Sequence, residues 1–346
     1  MNQTKFIWAK WQEFKVLSGT LSARKLFNYV QLLIGFFLSK LVRKPVHFGL
    51  PFSVSIEPTT SCNLRCPECP SGLRSFTRPT GMLESGLFQQ IIDQLAPTLS
   101  YLTFYFQGEP YLNPAFLDMV KVAAEKGIYT STSTNAHYLK DEISKKTVES
   151  GLHRIIISID GIKQGTYESY RVGGSLEKVI EGTRNLVKWK KELKSNTPHI
   201  IFQFLVVAHN EHEIKDLYAL ANQLGVDEVK LKTAQIYDFE NGSDLIPKQE
   251  KYSRYKKLVN GKFAIKNALL NQCWQMWQSC VITWDGKIVP CCFDKDASHT
   301  LGNSQKESFA EIWKGKEYQQ FRASILKSRK EIDICTNCTE GMSVWA

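Results

Sequence analysis

From Phe52 onward the chain alternates short runs of β-branched and aromatic residues with longer stretches of helical apolar spacing, and this alternation restricts the fold more than any other feature. Strand-like runs fall at Phe52–Glu57, Tyr101–Gln107, Ile128–Thr134, Arg154–Asp160, Ile200–Val207 and Glu228–Thr233. Helical spacing marks Leu87–Leu95, Phe116–Ala124, Leu139–Glu149, Leu176–Leu193 and Ile214–Leu224 between them. Strands that alternate with helices imply right-handed βαβ units and a parallel sheet. The expected class is therefore α/β: a partial (β/α)6 barrel of the TIM-like kind, with an open doubly wound sheet as the competing architecture. In either one, chemistry belongs at the carboxyl ends of the strands. Cys62 follows the first strand and Gln107-Gly-Glu-Pro110 ends the second. Ser133-Thr-Asn135 ends the third, Ser158-Ile-Asp-Gly161 the fourth and Lys232-Thr-Ala-Gln235 the sixth.

Nine cysteines fall into two groups, three from Cys62 to Cys69 and six from Cys273 to Cys338. Grouped thiols in a chain of this size point to metal in a reducing compartment rather than to disulfides. Cys62, Cys66 and Cys69 lie within eight residues and have no fourth cysteine nearby. A [4Fe–4S] cluster has four irons and normally four thiolates, so three ligands leave one iron open to a small molecule. Two other readings of the triplet stand beside this one. A zinc ribbon normally needs two separated Cys-x2-Cys pairs, and buried thiols also cluster without any metal.

The 346 residues suffice for one large domain and a smaller one. The net charge of +10 is concentrated at the amino end. There Lys5, Lys10, Lys15, Arg24, Lys25, Lys40, Arg43 and Lys44 face a single acid, Glu13. The rest of the chain is near balance, which argues against a nucleic-acid-binding surface. The basic segment is also rich in aromatic and aliphatic residues. Its most apolar run, Leu26–Leu38, is interrupted at Asn28 and Gln31, spans about 20 Å as a helix, is too short to cross a bilayer, and lacks a secretory cleavage signature. It reads either as an interfacial helix pair on an anionic membrane face or as a segment packed on the protein with its lysines solvated.

Past Lys248 the pattern changes. Val281–Trp284 and Lys287–Val289 flank Asp285-Gly286 as a β-hairpin, and Ser308–Lys314 and Tyr318–Ser328 read as helices. The expected organisation is a basic amphipathic helical segment over residues 1–48, a core over 49–247, and a small cysteine-bearing domain over 262–346.

Together these residues resemble the radical S-adenosylmethionine (SAM) enzymes over about 51–240, and their C-terminal auxiliary-cluster extension of the SPASM or twitch type over 262–340. Cys62, Cys66 and Cys69 match the family's Cys-x3-Cys-x2-Cys hallmark in full. Gln107-Gly108-Glu109-Pro110 is similar to its Gly-Gly-Glu-Pro turn with the first glycine replaced, and it implies SAM contacts at Gly108 and Glu109. Ser133 and Asn135 resemble the polar strand end that faces the ribose. Ser158 and Asp160 resemble the fourth-strand motif, and Arg171 resembles an arginine that contacts the SAM carboxylate. Taken singly, each of these softer matches also reads as a cap or turn residue. One departure stands out: the residue before the third cysteine is commonly aromatic and packs on adenine, whereas here it is Glu68.

The resemblance implies an oxidoreductase-like enzyme that cleaves SAM reductively to a 5′-deoxyadenosyl radical and takes hydrogen from a substrate. It further implies a reductant such as flavodoxin or ferredoxin and a cytoplasmic location; on the membrane reading of the basic segment, residues 1–48 make peripheral contact at the inner membrane face. Cys273, Cys291, Cys335 and Cys338 have the spacing of a single-cluster extension, implying a second, auxiliary [4Fe–4S] cluster as electron relay. Structural zinc is the alternative for four cysteines. Cys280 and Cys292 are then thiols outside that ligand set, with a substitute-ligand role as the alternative. A general base often follows the second auxiliary cysteine; here that position is Cys292, and Asp294 is the candidate base, with Asp285 beside it. Competing functions are a non-catalytic iron–sulfur or zinc protein and, within the same family, a peptide-modifying maturase. The substrate is not identified by the sequence.

Overall fold

The computed structural model describes residues 3–266 and 269–339. The outermost residues of the 1–48 and 262–346 segments, 1–2 and 340–346, lie outside this range. Two helices come first, α1 (Gln3–Gly19) and α2 (Ala23–Val42). Six strands then follow in βα order: β1 (Ser53–Ile56), β2 (Tyr101–Phe104), β3 (Tyr129–Thr134), β4 (Arg154–Ser158), β5 (His199–Val206) and β6 (Glu228–Thr233). The helices between them are α3 (Pro70–Leu73), α4 (Ser85–Leu95), α5 (Phe116–Glu125), α6 (Asp141–Glu149), α7 (Gln164–Tyr170), α8 (Leu176–Glu192) and α9 (Ile214–Leu224). All neighbouring pairs from β1 to β6 are parallel. Ile155, Ile157, Phe202 and Phe204 are fully buried between this sheet and the flanking helices, as expected for parallel strands covered on both sides. Gly225, at φ +84°, ends α9 and turns the chain into β6.

Three strands of the carboxyl-terminal region join the barrel sheet. After a small pair, β7 (Tyr255–Lys257) and β8 (Phe263–Ile265), come α10 (Gln275–Gln278), β9 (Ser279–Ile282), β10 (Lys287–Val289) and β11 (Gly302–Asn303). Strand β9 runs parallel to β1, with Val54 opposite Cys280, and β10 turns back antiparallel on β9. The result is a nine-stranded sheet in the order β11-β10-β9-β1-β2-β3-β4-β5-β6. The expected hairpin is present, and it covers the edge that β1 would otherwise expose. Helices α11 (Phe309–Lys314) and α12 (Lys316–Lys327) close this side over Trp277 and Trp313, both fully buried. Ser308 and Glu311 form a reciprocal capping box at the start of α11.

Helices α1 and α2 pack under the barrel, at the amino ends of its strands. Glu13 accepts from Tyr129 Oη (2.9 Å) and Arg154 Nε (2.5 Å), and lies 3.8 Å from His199. His199 meets Glu228 at 3.1 Å, and Lys10 and Lys230 lie 3.4 and 3.7 Å from the same carboxylate. Burial pushes the Glu228 carboxyl up, but the His199 hydrogen bond and the two lysines outweigh it and hold it at about 2. The two carboxylates are ringed by three cations, Arg154, Lys10 and Lys230, so the ion network carries its own countercharge.

Helix α2 is longer than the apolar run Leu26–Leu38. Its 20 residues are long and apolar enough, by length and composition, to cross a membrane, which corrects the expectation drawn from the shorter run. The run is not broken at Asn28, because Asn28 lies on the docked face and pairs with Leu50, donating to its carbonyl (2.7 Å) and accepting from its N–H (2.9 Å). Lys25, counted among the basic residues, is buried and donates to the Gly127 carbonyl at 2.6 Å.

Candidate active site

The cysteine loop begins where β1 ends. Cys62, Cys66 and Cys69 line a cavity of about 310 Å³ at the carboxyl ends of the barrel strands. The loop is tied to the turn after β2 from both sides: Gly108 N donates to Ser71 Oγ (2.9 Å) and Glu109 N to the Ser61 carbonyl (2.8 Å). Gly108 has φ +72°, and a Cβ there would stand 2.2 Å from the Thr59 carbonyl oxygen and 2.7 Å from that of Ser61. Only glycine permits this approach. A Gly108→Ala variant therefore has to push the cysteine loop away from the turn. Since displacements of about 1 Å cost about a hundredfold in rate, single-turnover SAM cleavage should fall by that order. A wild-type rate would show that the close approach is dispensable.

Glu109 is buried, and its carboxylate accepts from Thr134 Oγ1 (2.7 Å) and the Asn135 N–H (2.8 Å), binding the second strand end to the third. Burial raises its carboxyl to about 7 against those hydrogen bonds. Ser133 and Ser158 face each other across the cavity wall at 3.5 Å. Asn135 also lines the cavity and donates to Asn63 at 2.8 Å. Arg171 enters the cavity with Nη1 3.8 Å from Cys66 Sγ.

Three carboxylates singled out from the sequence lie elsewhere. Asp160 is buried behind Arg171: one oxygen accepts from Arg171 Nε (2.5 Å) and the other from the Leu205 N–H (2.7 Å), so it orients the guanidinium and does not line the cavity. Asp294 is buried and accepts from Ser298 N (2.8 Å), Ser298 Oγ (2.8 Å) and His299 N (2.9 Å). It closes a turn and does not line the cavity. Asp285 accepts from Thr283 Oγ1 at 2.6 Å within the β9–β10 turn. Glu68, at the position where the family commonly carries an aromatic residue, lines the cavity and accepts from the Tyr237 N–H at 3.0 Å.

The opposite wall comes from the carboxyl-terminal region: Cys292, Phe293, Lys295 and Thr339. Cys292 follows Cys291, and Thr339 follows Cys338, so the second cysteine set borders the same cavity. Cys291 is half-buried and close enough to Cys273 and Cys338 for their charges to act on it, and Cys335 stands in the same relation to Cys273. Arg329 Nη2 reaches Cys338 Sγ at 3.4 Å, within this quartet. Cys280 lies apart, fully buried on β9 beside Tyr318, and burial pushes its thiol up to about 12.

The donor chemistry fits iron–sulfur groups at both places. Burial pushes the Cys62 thiol up to about 12 and raises that of Cys66, with Arg171 opposing the rise at Cys66. Sulfurs in so dry a pocket ionise only beside a strong positive centre. Three soft donors on one loop, and four at the other site, supply the thiolates that such clusters need.

The sequence profile described as the radical SAM superfamily matches residues 56–221, and the iron–sulfur cluster-binding domain SPASM matches 273–339. The chain belongs to the radical SAM superfamily. It carries the SPASM-type extension of that family, which implies a SAM-binding [4Fe–4S] cluster, SAM, and auxiliary iron–sulfur in the carboxyl-terminal region. Among curated relatives it is 27% identical to the tungsten-containing aldehyde ferredoxin oxidoreductase cofactor-modifying protein of Pyrococcus furiosus, over 82% of this chain and 86% of that one. It is 24% identical to the PqqA peptide cyclase of Bradyrhizobium diazoefficiens, covering 80% and 77%. Among solved structures, Streptococcus suis SuiB bound to S-adenosylmethionine shares the fold with a TM-score of 0.62 at 14% identity, covering 88% and 75%.

Several cavity residues of this radical SAM protein were not singled out from the sequence: Tyr105, Gln203, Arg254 and Lys295. Gln203 had a signal, as the one polar side chain inside the apolar run Ile200–Val207. Lys295 and Arg254 lie in irregular segments with no periodicity to mark them.

Proposed function

We propose that this radical SAM enzyme oxidises its substrate or forms a new bond in it, with residues 49–247 holding SAM and residues 262–346 holding one auxiliary [4Fe–4S] cluster as an electron relay. The observation that carries the reading is the single cavity lined by Cys62, Cys66 and Cys69 on one side and by residues adjoining Cys291 and Cys338 on the other. When bound, the cluster and SAM supply one-electron cleavage to a 5′-deoxyadenosyl radical that takes a hydrogen atom from the substrate. The chain's own residues bind and orient. Arg171, held by Asp160, presents its guanidinium beside Cys66, where a carboxylate of SAM is received. The Gly108–Glu109 backbone approaches from the second strand end, and Ser133, Asn135 and Ser158 offer polar contacts to a ribose. The Phe106 and Tyr170 side chains on the cavity wall are almost wholly buried and help keep water from the site.

The electron donor in this reading is a flavodoxin or ferredoxin, and the enzyme works in the cytoplasm, peripheral to the inner membrane face through residues 1–48. A peptide substrate is the second reading, supported by the match to a PqqA peptide cyclase along 80% of the chain. The test is anaerobic reconstitution with iron and sulfide, followed by dithionite and SAM. The expected product is 5′-deoxyadenosine, and its absence from a protein carrying both clusters would overturn the proposal.

A further inference from the structure

Helix α2 has two faces of opposite character. Lys25, Asn28, Leu32, Gly35 and Ser39 are buried against the protein. Leu26, Phe27, Val30, Ile34, Phe37, Leu38, Leu41 and Val42 are exposed, Phe27 to 64%, Phe37 to 60% and Leu41 to 79%. At 3.6 residues per turn they fall within an arc of about 160°. Trp11 and Phe14 add a stacked, exposed aromatic pair on α1, with Lys15 over the Trp11 ring. Exposed apolar surface of the extent that α2 alone presents marks an interaction site.

The charge around the patch selects the partner. Arg24, Lys40, Arg43 and Lys44 are all exposed around α2, and Lys15 is exposed on α1. Glu13, the one acid in this segment, is turned inward onto Tyr129 and Arg154. An apolar stripe to which its own segment adds only cations as exposed charge matches an anionic lipid surface.

We infer that the α1–α2 face lies flat in an anionic phospholipid bilayer, with the cavity opening on the far side, toward water. This rests on the peripheral-membrane part of the proposed function and not on its radical chemistry. The docked face keeps α2 from spanning: Lys25 on Gly127, Asn28 on Leu50 and Ser39 on Val46 would all have to be given up. The orientation follows from the strands. Glu13 meets Tyr129, Arg154 and His199, the first residues of β3, β4 and β5, while Tyr29 packs on Phe52 just before β1. The cavity sits at the opposite strand ends, about 20 Å away for six residues at 3.3 Å each. The substrate therefore enters from the aqueous side, even when the enzyme is membrane-bound.

The experiment is sedimentation of the reconstituted enzyme with vesicles of phosphatidylglycerol and phosphatidylcholine in equal parts, and with phosphatidylcholine alone. Binding to the mixed vesicles, weakened by salt, is expected. A Phe27→Ser/Phe37→Ser/Leu41→Ser variant, altered only at exposed positions, should bind at least about tenfold more weakly while keeping wild-type iron content. SAM cleavage should proceed equally on vesicles and in solution. Failure of the wild type to bind, or equal binding by the variant, overturns the inference. So does a dimer in sedimentation velocity that the triple variant abolishes, since a second copy would then cover the face. Cleavage blocked by vesicles overturns the orientation. Absence of cleavage with and without vesicles condemns the radical chemistry instead, and leaves the binding result standing.

Discussion

Cys66→Ala is expected to abolish SAM cleavage and to lower the iron content from about eight to about four per chain, given four irons in each cluster. Cys66 is buried, and its Sγ faces Arg171, the residue proposed above to receive the SAM carboxylate. Alanine leaves two thiolates on the loop, too few to hold a cluster that has no fourth protein ligand. Cys273, Cys291, Cys335 and Cys338 are untouched and should retain theirs. Iron and sulfide analysis with detection of 5′-deoxyadenosine reads both effects. A Cys66→Ala protein that kept about eight irons and went on cleaving SAM would refute the three-thiolate site. Loss of all the iron would show that the two sites do not assemble independently.

Arg78→Met is expected to destabilise the fold by about 3–5 kcal/mol, the cost of leaving a buried charge without its partner. Glu57 directly follows β1 and is fully buried; its two oxygens accept from Arg78 Nη1 (2.8 Å) and Nη2 (2.5 Å). Burial pushes the Glu57 carboxyl up, and the Arg78 guanidinium opposes this. The same arginine donates from Nε to the Lys295 carbonyl (3.2 Å), and its neighbour Thr77 donates its N–H to Asp296 (2.9 Å). The pair thus joins the segment after the cysteine triplet to the segment after Cys291. Urea midpoints measure the loss. The double variant Glu57→Leu/Arg78→Met should recover most of it, since replacing both members of a buried pair is often near neutral. A double variant no more stable than Arg78→Met would mean that the arginine's contacts to Lys295 matter more than its charge.

The barrel was legible because buried parallel strands are written as near-continuous β-branched and aromatic runs, as in Ile155–Ile157 and Ile200–Phe204. The cysteine triplet and the Gly108 turn were legible because their spacing and residue types admit few alternatives. What a carboxylate faces is not written in this way. Asp160, Asp285 and Asp294 sit beside site motifs in sequence, yet their oxygens are taken by Arg171, Thr283, and the Ser298 and His299 backbone. The length of α2 was misread for a related reason: Asn28 and Gln31 look like interruptions until the docked face is known. Strand pairing over long sequence separation leaves no local trace either, so the pairing of β9 with β1 was not legible.

That pairing orders events during synthesis. Strand β1 emerges early from the ribosome, but the partner for its outer edge, Ser279–Ile282, emerges near the end. Until then the backbone groups of Ser53–Ile56 present an open edge to other chains, and the contact that seals it is among the slowest kind to form. Nascent or truncated chains that stop short of Ser279 are therefore the aggregation-prone species. Recombinant yield should depend on slow translation and chaperone supply far more than the finished molecule's large buried core suggests.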